Sequence, residues 1–177
     1  ARDCGADTKS VKTYYQILED TLIGFFLESY SPSVRKAIKQ APKFYFFDLG
    51  VTRAIARLLE VPPKPPTSYF GELFEQLVIT EMHRAITYSQ KQIRMSFLRT
   101  QAGNEIALIL ERPGRKTCLI EIKSTTEVKE QQVKPMLRFE DEFPEAEFYV
   151  FSREESPQKF GRIMVLPWQT GIEQVLA

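Results

Sequence analysis

Leu119-Ile120-Glu121-Ile122-Lys123 places a carboxylate and an ammonium two residues apart at the end of an apolar run. Side chains alternate along a strand, so Glu121 and Lys123 project to one face. Leu119 and Ile120 are apolar at consecutive positions, the pattern of a strand covered on both faces. At such a strand end Glu121 can hold a divalent cation through oxygen, while Lys123 offsets charge on a phosphate. An ordinary strand end with a solvated ion pair carries the same pattern.

The neighbouring segments give this one a context. Upstream, Glu105 to Leu110 reads as a second strand, joined to Thr117–Lys123 by the turn Arg112-Pro113-Gly114-Arg115. Ile93 to Arg99 reads as a third strand, turned at Gln101-Ala102-Gly103-Asn104. Before these, Ser68 can cap a long helix through Ile86, with Phe70, Leu73, Phe74, Leu77, Val78 and Met82 on its buried face. Glu72 and Glu75 stand three apart on that helix, close on one face. Downstream, Lys129 to Glu140 is predicted as a helix, Phe148–Phe151 as a strand and Arg162–Leu166 as a further strand. The predicted order is helix, three strands, helix, strand.

Four prolines between Val61 and Ser68 exclude a helix or a central strand and mark a stiff connector. A boundary is expected there, giving segments 1–60, 61–68 and 69–177. Before it, Lys43 to Phe47 reads as an aromatic strand, Asp48 as a cap, and Val51–Leu59 as a short helix. At the start, Asp7 or Thr8 can cap a helix whose Val11, Tyr14, Tyr15, Leu18 and Leu22 recur at helical spacing. Lys9 and Lys12 fall on its other face. Phe25-Phe26-Leu27 follows as a short strand. A helix followed by such a strand resembles the second half of a winged helix-turn-helix, which would turn Lys9 and Lys12 towards DNA phosphates. A solvated face or a contact within a longer protein fits the same lysines.

Composition narrows the classes. The 177 residues carry 24 basic and 23 acidic side chains, so a nucleic-acid surface must be a local patch. Arg94, Arg99, Arg112, Arg115 and Lys116 are candidates for such a rim. The apolar fraction, 43%, supplies an ordinary core. One histidine, His83, and two distant cysteines, Cys4 and Cys118, cannot assemble a Cys/His zinc site. Cys118 lies in a core-like run, so a disulfide is not expected and a cytoplasmic setting is. No apolar run is long enough to span a membrane. His83 and Trp168 read as packing residues. The chain opens on Ala1 without methionine, and a fragment of something longer is expected.

Helix carboxylate, strand, turn, then strand with Glu-x-Lys is the order of the PD-(D/E)XK nuclease core. Gly71-Glu72-Leu73-Phe74-Glu75, Gly103 to Ile109 and Ile120-Glu121-Ile122-Lys123-Ser124 together resemble a domain of unknown function that follows the ATPase domain in a large prokaryotic family of AAA-type ATPases. Phe44 to Gly50, Ser10 to Tyr15 and Leu18 to Thr21 resemble that family too. The resemblance implies an α+β fold: a partial winged-helix-like part, then a restriction-endonuclease-like mixed sheet flanked by helices. It implies a preceding ATPase domain as partner and DNA as substrate. No phosphate-binding loop motif occurs, so this chain alone is not expected to bind ATP.

Carried over residue by residue, the resemblance makes Glu75 the helix carboxylate and Glu121 and Lys123 the Glu-x-Lys pair. Glu75 and Glu121 would ligate Mg²⁺ or Mn²⁺; Lys9 and Lys12, from the recognition-helix reading, and Arg99, from the basic rim, are the nucleic-acid candidates. Ala107 stands where the family usually has aspartate. Alanine cannot ligate, so weak metal binding and little or no cleavage are expected. Glu105, two residues away, could take over. Glu75, Ala107, Glu121 and Lys123 are expected to face one cleft. A non-catalytic module that binds DNA or a partner protein and regulates the ATPase is the alternative.

Overall fold

A computed structural model describes residues 5, 7–31, 40–100 and 103–177. In chain order it contains α1 (Thr8–Asp20), β1 (Gly24–Ser29), β2 (Lys43–Phe46), α2 (Leu49–Ile55), α3 (Ser68–Ser89), β3 (Arg94–Arg99), β4 (Glu105–Glu111) and β5 (Cys118–Ile122). There follow α4 (Glu130–Val133), a 3₁₀ helix (Lys134–Phe139), β6 (Glu147–Ser152), β7 (Gln158–Phe160), β8 (Ile163–Pro167) and α5 (Trp168–Leu176). The fold is α+β. Cys4 and two residues of the predicted turn, Gln101 and Ala102, lie outside the described residues.

Short side chains start the helices by accepting free backbone N–H groups. Asp7 accepts from Lys9 and Ser10 at the head of α1. Asp48 accepts from Val51 at the head of α2. Thr67, one residue before the expected Ser68, accepts from Phe70 at 3.1 Å. The helix predicted over 129–140 is instead a single α turn followed by a 3₁₀ stretch. Pro135 explains the change, since its nitrogen has no proton for the carbonyl four residues back.

The eight strands form one mixed sheet in the order β2-β1-β3-β4-β5-β6-β8-β7. β3, β4 and β5 are an antiparallel meander, whereas β5, β6 and β8 run parallel. β1 joins through a parallel pairing with β3, Glu28 opposite Ser96 and Ser29 opposite Phe97. The sheet therefore runs across the boundary expected at 61–68. β1 and β2 pair antiparallel and extend the main sheet. Gly24 permits their close approach, because a Cβ there would stand 2.5 Å from the Tyr45 carbonyl oxygen.

Both faces of the sheet are covered. On one, α3 and α5 pack Phe74, Val78, Ile79, Met82 and Val175 against Leu27, Phe97, Leu108, Ile120 and Phe151. On the other, Val133, Met136 and Phe139 cover Ile106, Ile109, Leu119, Phe148 and Val150. At the β2 edge α1 lays Tyr15 against Phe26 and Phe44. On the apolar face read for α1, Val11 and Leu18 are half-buried, while Tyr14 is 63% and Leu22 83% exposed. His83 stacks on Phe25 with ring centroids 3.9 Å apart. Burial, and then the nearby Arg84 charge, hold its imidazole below the usual histidine range. Among the described residues no helix is long and apolar enough to cross a membrane.

Candidate functional site

β4 carries one more residue than β3 at its centre. Ser96 faces Ile109, yet Leu98 faces Ile106, so three steps on β4 match two on β3. The extra residue falls at Ala107–Leu108, and both side chains enter the core layer under α3. The β4–β5 pairing ends beside this bulge, its last partners being Leu108 and Ile120. Glu121 comes next on β5, at the point where the two strands part.

The Glu121 carboxylate accepts from the Ala107 backbone N–H. It also accepts from the Lys123 ammonium, Nζ to Oε1 2.9 Å. Burial raises its proton affinity, Lys123 works against this, and the charge of Glu75 adds to it; the net shift is upward. Glu75 is thus within electrostatic reach of Glu121. Lys123 and the Ala107 N–H meet Glu121 directly, whereas Glu75 reaches it through its charge. Alternation gives Ile120 and Ile122 to the α3 face and assigns Glu121 the parity of Leu119 on the other. The methyl of Ala107 lies in the α3-side core, so by this parity it and the Glu121 side chain point to opposite sides of the sheet, against the expectation of one shared cleft.

Glu75 already has partners that the sequence did not single out. Lys43 lies 3.3 Å from its Oε1, and the Tyr45 hydroxyl donates to the same oxygen at 3.2 Å. Lys43 also bonds Glu105 and stands over the Phe97 ring, 5.2 Å from its centroid. Burial opposes the Lys43 charge, but Glu105 and Glu75 more than offset this and raise its pKa. Burial and then Glu75 push the Tyr45 phenol upward. The signal for these residues was present: Lys43 and Tyr45 alternate with Phe44 and Phe46, so two polar side chains share one strand face. Glu105, a candidate for taking over the missing carboxylate's role, is bonded to Lys43 and lies 3.9 Å from Arg99.

Could these residues hold a metal? Among the described residues no three of His, Cys, Asp and Glu gather closely enough to do so. Each candidate carboxylate faces an ammonium, and a backbone N–H occupies the third side. As it stands the set does not fit Mg²⁺ or Mn²⁺, which call for several oxygen ligands.

The cations expected to make one rim are divided between opposite ends of the strands. Arg99 lies at the Glu105 end of the meander, with Lys123. Arg94 pairs with Glu111 at the far end, where the turn carries Arg115 and Lys116. Arg112 is a structural residue. Its buried guanidinium donates to the Lys116 and Val175 carbonyls and lies 2.6 Å from Glu147. Burial acts to raise the Glu147 pKa, but Arg112 overcomes it and holds the carboxyl below its usual range. Burial likewise pushes the free Cys118 thiol up to about 12. Lys9 and Lys12 are exposed on α1, in the β2-side part of the molecule.

Two families match the chain on either side of the proline segment. A domain of unknown function, DUF8612, matches residues 1–61. No curated protein and no solved structure matches. The second match covers the meander, the Glu121–Lys123 strand end and the parallel strands, over residues 70–170, and on that span the chain belongs to the family of the domain of unknown function DUF4143.

Proposed function

We propose that this is a nuclease-type domain that has given up phosphodiester cleavage and kept a cationic strand end for the backbone of DNA. One observation carries the reading: both candidate carboxylates are already neutralised from within. Lys43 and Tyr45 hold Glu75, while Lys123 and the Ala107 N–H hold Glu121. No hydrolytic step is therefore assigned to a metal in this chain. The order α3, three antiparallel strands, α4, then a parallel strand supports the PD-(D/E)XK likeness. The resemblance of the N-terminal segments supplies an attached ATPase domain as the partner that the module would regulate.

The chain should bind duplex DNA in the presence of a chelator, and Lys123→Ala should weaken that binding. It should not nick plasmid DNA with Mg²⁺ or Mn²⁺. Nicking that is lost on Glu121→Ala would instead establish a working enzyme. The vacated metal position is tested by Ala107→Asp with Lys43→Met, which adds a carboxylate on the α3 side and frees Glu75. Tighter Mn²⁺ binding than in the starting chain is expected, since oxygen ligand count governs such sites. Equal binding by a folded double variant would remove the nuclease ancestry from the reading.

A further inference from the structure

We infer that Arg153 is a second phosphate contact, set beside Lys123 to hold the backbone of duplex DNA; this rests on the DNA-binding reading above. Its position follows from the parallel pairing of β5 and β6. Ile122 faces Phe151, the Lys123 N–H donates to the Phe151 carbonyl, and the Arg153 N–H donates to the Thr125 carbonyl. Lys123 and Arg153 thus leave neighbouring strands at their carboxyl ends. That is where open sheets with parallel strands bind ligands.

The guanidinium is oriented in advance. It lies over the Phe70 ring, 5.0 Å from the centroid, and donates to the Ser124 carbonyl at 3.4 Å. Phe70 belongs to the first turn of α3, whose backbone dipoles add positive potential to the same place. Among the described residues no carboxylate lies within salt-bridge distance of Arg153. The adjacent Glu154 is turned inward, bonded to the Val128 N–H and to Gln158. Arg53, Arg84 and Arg162 are by contrast occupied, by three carbonyls, by Glu81 and by Glu140. Arg153 is half-buried, so its charge is held in place and still reachable. A planar fork of donors so placed suits two oxygens of one phosphate.

The test uses the 177-residue chain and a short duplex, with affinity measured against salt in chelator. Arg153→Gln removes the charge and keeps a planar polar end on a shorter stem. It should weaken binding several-fold across unrelated sequences and lower the salt slope by about one. Arg153→Lys should restore the slope. Unchanged affinity and slope in a folded Arg153→Gln chain, with Lys123→Ala still weakened, would overturn the role of Arg153 and leave the DNA reading standing. No duplex binding by the starting chain would overturn both. A measurement on the unaltered protein guards against misfolding of the variant: phenylglyoxal modification with and without duplex. DNA should protect Arg153 several-fold but not the exposed Arg115 at the other end of β5. Equal modification of Arg153 in both conditions counts against the contact.

Discussion

Burial works against the charge of Glu121, and Lys123 only partly offsets it. Its pKa is raised, so the folded chain binds a proton more tightly than the unfolded chain between the ordinary glutamate pKa and the raised one. Stability contributed by the protonated form is present at low pH and falls as pH rises through that window. Glu121→Gln removes the penalty, and Lys123, one-third exposed, can turn to water. At pH 7 the variant should melt at a higher temperature than the starting chain. The gain should vanish once the pH lies below the ordinary glutamate pKa; a gain independent of pH would point to packing instead. Arg112 gives the opposite result. Arg112→Met leaves the Lys116 and Val175 carbonyls without their donor and should cost about 1–3 kcal/mol, read by urea unfolding. At this scale the sequence exposed Glu121 and Lys123, because a charged pair ending an apolar run stands out. Arg112 looked like a rim cation, since nothing local tells that Val175, far along the chain, supplies its acceptor.

At the scale of elements, strands and helices with their own periodicity were legible: α3, the meander of β3 to β5, and β6 all lie where alternation and spacing put them. Three features were not. The bulge at Ala107–Leu108 leaves no trace in a continuous apolar run, yet it turns the Ala107 methyl into the core and its N–H to Glu121. Pro135 cut the predicted helix to a single turn. α5, with β7 before it, was missed because its nine residues carry little beyond Ile172, Val175 and Leu176 to announce a helix. Gly24 tests the β1–β2 contact. Gly24→Ala drives a methyl group against backbone at Tyr45 and the Phe44 ring, so a loss of about 1–3 kcal/mol is expected. An unchanged urea midpoint would mean that β1 and β2 are held apart in solution.

For the whole molecule, the proline segment separates two family matches but not two cores. Leu27 and Phe25 lie in the same core as α3 and Phe97, so a chain cut at residue 68 uncovers one edge of β3 and the ring face of His83. Such a fragment should bind a hydrophobic dye and melt well below the full chain, by roughly 10 °C for a loss of about 3–5 kcal/mol. Equal melting points would show that residues 69–177 fold alone. The same parallel pairing has a consequence in time. β1 is made before its partner β3, which begins at Arg94, roughly 70 residues later, or about 3–14 s at roughly 5–20 residues per second. For most of that interval, until α3 is complete at Ser89, Phe25 and Leu27 have no helix to cover them, so the nascent chain presents one bare apolar strand face to whatever waits at the ribosome exit.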